Sequence, residues 1–165
     1  MSDAAHAVAW LLEQHEPEAR RLAAQQLLKV RGPRACDLLL AALSDEDWRV
    51  RKEAAVTAAA IEPREPVVAA LTGALAEKVN IGLRNAAVEA LVAIGPDAVP
   101  ATVEALERLD ADGRKLAIEI LGGIPDERGI TALTRALVDE DPNVRSAAAE
   151  NLGCADRAGE YAREI

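Results

Sequence analysis

One arginine keeps returning in this chain. It stands at Arg20, Arg51, Arg84, Arg114 and Arg145, at intervals of 31, 33, 30 and 31 residues. Alanine follows three residues after each (Ala23, Ala54, Ala87, Ala117, Ala148), and Leu27, Ala58, Leu91, Leu121 and Leu152 follow seven after. Four residues before come Glu16, Asp47, Asn80, Asp110 and Asp141. Five copies in one frame mean one supersecondary unit used five times, and such a unit can bury its apolar face only against its neighbours.

Each copy reads as a pair of helices. The Asp or Asn four before the arginine is a good N-cap, since its side-chain oxygen accepts an orphan backbone N–H; Glu16 is a weaker one. Pro17 and Pro142 follow at the first helical position, where a missing N–H costs nothing. Apolar residues then recur at helical spacing until Gly32-Pro33, Glu62-Pro63, Gly95-Pro96 or Ile124-Pro125 interrupts them. The helix after each break ends in another turn, and Leu12, Leu43, Leu75, Leu106 and Leu137 share one of its columns. Ten short helices without strand-like alternation predict an all-α stack. The expected organisation is a single domain, 1–165, with repeats at about 4–32, 33–63, 64–95, 96–125 and 126–155. Residues 156–165 then form a C-terminal cap or the start of a sixth repeat, and the second option implies a longer protein.

Composition narrows the function. The 28 acidic and 19 basic residues leave a net charge of −9, which opposes a role built on phosphate backbone. Three aromatic residues, Trp10, Trp48 and Tyr161, are too few for a base-stacking platform. Alanine fills 36 positions, as expected where short helices approach closely. Cys36 and Cys154 lie far apart in columns of small or apolar residues and read as reduced core thiols. Residues 1–14 make a poor signal peptide, and no run approaches the roughly 18 apolar residues of a membrane span. The expectation is a cytoplasmic protein that binds neither nucleic acid nor membrane.

The run Leu137-Val138-Asp139-Glu140-Asp141-Pro142-Asn143-Val144-Arg145-Ser146-Ala147-Ala148 resembles a HEAT repeat, of the short kind also seen in phycobilisome-lyase-like proteins. The resemblance covers residues 4–155 and implies a right-handed α-solenoid, a superhelix of about five helical hairpins. It also implies a ladder between repeats, carried over to Arg20, Arg51, Arg84, Arg114 and Arg145 with Glu16, Asp47, Asp110 and Asp141. The third copy departs, with Asn80 for the acid and a longer turn.

Some HEAT-like proteins are enzymes. Deoxyhypusine hydroxylase carries His-Glu metal pairs after the repeated arginine, where this chain has Arg21-Leu22, Lys52-Glu53, Asn85-Ala86, Lys115-Leu116 and Ser146-Ala147. His15-Glu16 precedes the arginine and reads as an exposed cap, and with His6 it gives too few ligands for a metal cage. HEAT-like DNA glycosylases use a basic face that this composition lacks. No nucleophile elbow or phosphate loop occurs, so neither a cofactor nor a catalytic group is expected.

The resemblance places the second helix of each hairpin on the concave face. Its outward positions give Arg21, Lys52, Asn85, Lys115 and Ser146 in one column and Gln25, Val56, Glu89, Glu119 and Glu150 in the next. With Trp48 and Arg49 at a helix start, these columns form the expected partner-binding surface. Trp48 is read either as a partner contact or as packing on an adjacent turn, and Trp10 as a cover for the end of the stack. The leading expectation is a non-catalytic scaffold that binds another protein through this face. The alternatives are a bilin or tetrapyrrole lyase-like enzyme or chaperone, and a spacer segment of a larger protein.

Overall fold

The computed structural model describes the backbone of residues 3–163 and the side chains of residues 3–153. Within them lie ten α-helices and no strand: α1 (Asp3–Leu12), α2 (Pro17–Gln26), α3 (Arg34–Leu43), α4 (Trp48–Ala58), α5 (Arg64–Ala74), α6 (Ile81–Ile94), α7 (Val99–Ala105), α8 (Ala111–Gly123), α9 (Glu127–Ala136) and α10 (Pro142–Arg163). Short 3₁₀ turns at Leu27–Lys29 and Gly95–Ala98 tighten two of the breaks. Gly32 and Gly95 have φ of 78° and 77°, the left-handed region that lets a helix end sharply only where a side chain is absent.

The helices form two compact units. In Met1–Ile94, hairpins α1–α2, α3–α4 and α5–α6 stack so that α4 lies between α2 and α6. In Gly95–Ile165, α7–α8 and α9–α10 pair, with α8 packed along α10.

The repeated alanines explain how the second helices come so close. Ala23, Ala54, Ala87, Ala117 and Ala148 are all fully buried, as are Leu27, Ala58 and Leu91 seven positions from their arginines. A larger side chain in the alanine column would push neighbouring backbones apart. Leu43 and Leu75 fill the space between first and second helices, while Leu137 in the same column is 39% exposed.

The caps follow the local chemistry. Asp47 accepts from the Arg49 amide at 2.8 Å, Asp110 from Gly113 at 3.0 Å and Asp141 from Asn143 at 2.8 Å. Glu16 makes no side-chain cap bond, and Pro17 starts α2 without an N–H to satisfy. In the fifth copy α10 runs unbroken from Pro142 to Arg163, through the stretch where a new hairpin would begin. The side chains of Cys154 and Tyr161, and residues 164–165, lie outside the described residues.

Two expectations need correction. Residues 81–105 are long and apolar enough by average to cross a membrane, despite the charges that interrupt them. Ala86, Ala87, Ala90, Leu91 and Ile94 are nonetheless buried within the first unit, and Ala98, Val99 and Ala105 within the second, which is how core helices pass the same test. Cys36 is only half-buried. It lines an apolar cavity of about 560 Å³ with Gly32, Pro33, Ile61, Pro63 and Val67, and burial followed by the nearby Asp37 charge raises its thiol above the usual range.

Candidate ligand groove and the arginine ladder

The ladder arginines start one turn into each second helix and reach back toward the turn before it. Arg20 is 6% exposed and uses every arm of its guanidinium. Nη1 donates to the Gln14 and His15 carbonyls at 3.0 and 2.8 Å. Nε and Nη2 grip Asp45 of the following turn at 2.7 and 3.1 Å, and Nη2 also reaches Glu46 at 3.2 Å. Arg114 repeats the pattern in the second unit: Nη1 donates to the Leu109 carbonyl, Nε and Nη2 bind Asp139 at 2.9 Å each, and Glu140 lies 3.1 Å away. The bonds to Asp45 and Asp139 raise these guanidinium pKa values further above their ordinary range. Burial pushes Asp139 upward, but the Arg114 bond and charge and the Asp141 amide prevail and hold it below the usual carboxylate range.

The acids that Arg20 and Arg114 grip are therefore Asp45 and Asp139, two residues ahead of the caps, and not the caps Asp47 and Asp141 expected for those steps. Asp47 and Asp141 turn instead to the amides of their own helices, at 2.8 Å each. Asp47 is further tied to Arg49 through bonds of 2.8 and 3.1 Å, and the Arg49 contacts bring it down to about 2. Asp45 and Asp139 each also accept the amide two residues on, at 2.8 and 2.9 Å, which shapes the turn for the arginine. The doubled acid in Asp45-Glu46-Asp47 and Asp139-Glu140-Asp141 was the available signal.

The other copies differ. Arg51 donates Nη1 to the Asp45 and Glu46 carbonyls at 2.7 and 2.9 Å, and Arg145 does the same with Asp139 and Glu140 at 2.8 and 3.0 Å. No carboxylate meets the Nε or Nη2 of Arg51 among the described residues. In the third turn Glu77 accepts from Val79 and Asn80 amides at 2.8 and 3.3 Å, and those bonds lower its pKa. Asn80 caps α6 through the Leu83 amide at 2.9 Å, with a long contact from its Nδ2 back to the Ser44 carbonyl. Among the described residues no hydrogen bond of the Arg84 side chain replaces the missing step.

On the outward face, Lys52, Asn85 and Glu89 of the first unit are exposed, as are Lys115, Glu119, Ser146 and Glu150 of the second. Arg21 is committed to Glu18 at 2.6 Å and to Glu53 at 2.8 Å, which raises it strongly. Lys115 and Glu119 are 4.0 Å apart and both well exposed, a weak contact. Lys52 makes no ion pair among the described residues. Trp48 and Trp10 are each 61% exposed, so neither ring is sheltered by its own unit. The structure brings Trp48, Lys52, Asn85 and Glu89 together around a groove of about 340 Å³ between α4 and α6, with Arg51, Gly82 and Ala86 completing the walls. The repeat pattern marks Arg51 as a ladder residue and carries no signal for Gly82. Among the described residues no three His, Cys, Asp or Glu side chains converge as a metal site, and His6 and His15 are both exposed.

Comparison with known proteins follows the same lines. A family model described as HEAT repeats matches residues 4–92 and 99–161. The phycocyanobilin lyase subunit beta of Pseudanabaena tenuis (strain PCC 7409) is 40% identical over 75 residues, 45% of this chain and 27% of that relative. The chain thus spans a minor part of its curated relative. Among solved structures, the complex of CpcE and CpcF of phycocyanin lyase from Nostoc sp. PCC7120 aligns with a TM-score of 0.47 at 24% identity, over 95% of this chain and 66% of that one. Human deoxyhypusine hydroxylase aligns with a TM-score of 0.45 at 22% identity, over 90% and 73%. The lyase subunit among its relatives overturns the expectation that this chain is no enzyme. Local motifs report groups close in sequence, whereas a solenoid face is assembled from residues about 31 positions apart and leaves no local motif.

Proposed function

The chain belongs to the HEAT-repeat family, and from that premise we propose that it works as a lyase-like HEAT subunit that handles a bilin or a related open-chain tetrapyrrole together with a protein partner. The observation that carries this reading is the 40% identity over 75 residues with a phycocyanobilin lyase subunit. The outward columns of the second helices supply a fitting surface. Trp48 offers a flat apolar face, and tryptophan contributes strongly at binding sites when a partner covers it. Lys52, Asn85 and Glu89 place a cation, an amide and a carboxylate around the same groove. Arg21 and Arg49 extend that face in the first unit, and Lys115, Glu119, Ser146 and Glu150 form its counterpart in the second. The protein partner meets these columns.

Mixing the purified chain with phycocyanobilin tests the reading. Binding in an asymmetric groove gives a shifted visible absorption band and induced circular dichroism in that band. A spectrum identical to that of the free pigment at every protein concentration overturns it.

A further inference from the structure

Arg51 is a ladder arginine without its ladder acid. Its homologous positions, Arg20 and Arg114, close Nε and Nη2 on an aspartate two residues before the next cap. The next cap after Arg51 is Asn80, and the residue two before it is Lys78, a cation. That turn is also one residue longer than its counterparts, counting from Leu75 to Asn80 against Leu43 to Asp47 and Leu137 to Asp141. Glu77, two after Leu75 as Asp45 is two after Leu43, accepts from the Val79 and Asn80 amides and makes no bond to Arg51 among the described residues.

The side chain is nevertheless held in place. Two carbonyls fix Nη1, and the Nε side lies against Gly82, where even a Cβ would come within 3.2 Å. A planar guanidinium fixed at one end presents the fork that matches a carboxylate in two parallel hydrogen bonds. Lys52 stands beside it on the groove wall with no ion pair among the described residues, whereas Arg21 and Arg49 are paired with Glu18, Glu53 and Asp47. The indole of Trp48 lines the same groove, and Asn85 and Glu89 line it from α6 as acceptors.

We propose that this groove binds one end of an open-chain tetrapyrrole, with a propionate carboxylate on Arg51 and Lys52, a pyrrole ring on Trp48, and the ring N–H groups facing Glu89 and Asn85. The inference rests on the tetrapyrrole reading above and assigns it a place. The walls match the parts of such a ligand: two cations for a carboxylate, an indole for a ring, and a carboxylate and an amide for ring N–H donors. The volume suits one end of the pigment, and the remainder extends over the exposed second-helix face.

The test titrates phycocyanobilin and its dimethyl ester into the wild-type chain, Arg51→Gln, Lys52→Gln and Trp48→Ala, reading the visible band and its induced circular dichroism. Lys52→Gln removes no internal bond, so it stays informative if Arg51→Gln fails to fold. The expected result is uptake of the free acid by the wild type, with the ester weaker by about tenfold, the scale of one charge-assisted hydrogen bond. Lys52→Gln and a folded Arg51→Gln weaken the acid by a similar factor and leave the ester unchanged, and Trp48→Ala weakens both. Equal uptake of acid and ester, unaffected by these substitutions, overturns the placement while the tetrapyrrole reading stands. No uptake of either pigment by the wild type overturns both.

Discussion

At the scale of single residues, two aspartates of similar appearance do different work. Asp45 lies nearly buried against Arg20, with side-chain exposures of 7% and 8%, whereas Asp47 caps α4 and holds Arg49 near the surface. Removing one member of a buried pair leaves the other charge uncompensated, so Asp45→Ala should cost about 3 kcal/mol or more. Asp47→Ala loses a cap and a solvent-screened pair, so its effect should be clearly smaller. Denaturant unfolding of the two variants checks the order; equal losses would mean that the ladder is not held by Asp45. The cap assignment could be read from the sequence because capping is local. The ladder partner could not, because it depends on how far an arginine reaches into the next repeat.

At the scale of helices, the alanine column and the hairpin pattern were legible because burial repeats with the helix period and the repeat length together. Gly122 shows what periodicity leaves out. A Cβ there would overlap the side chain of Asn151, its Cβ included, where α8 meets α10. Gly122→Ala should therefore destabilise the protein by about 1–3 kcal/mol through overpacking, despite the better helix propensity of alanine. Thermal unfolding should show a lower midpoint, and adding Asn151→Ala should recover part of the loss. A stabilised single variant would show that the two helices separate at little cost. The outward columns made Trp48, Lys52, Asn85 and Glu89 of the groove legible, but the absent acid of Arg51 was not, for a related reason. It arises from an exception in the third turn, and averaging over five copies hides an exception.

At the scale of the whole chain, charge is distributed unevenly. Counted from the sequence, residues 1–94 carry a net −2 and residues 95–165 a net −7. Several acids are nevertheless held ionised by specific contacts. Arg49 brings Asp47 to about 2, and Arg128 brings Asp126 to about 2 through bonds of 2.7 and 2.9 Å. Unfolded aspartate titrates near 3.9. These folded-state values are lowered, so their stabilisation is complete above about pH 4 and disappears as the pH falls toward about 2. Circular dichroism during acid titration should show stability falling through that window. The double variant Asp47→Asn, Asp126→Asn should start less stable at pH 7 and lose less on acidification. An unchanged acid dependence would show that these pairs contribute nothing to folding.

The longer turn between Leu75 and Asn80 has a consequence for how such chains can acquire new chemistry. In a stack built from copies, each anchoring side chain already has a fixed position and a defined orientation before any ligand exists. Lengthening a single turn by one residue withdraws the internal partner without disturbing that position. On the placement proposed above, a change of this kind would convert a tie between repeats into a reading head for carboxylates while the alanine-packed helices on either side stay as they are.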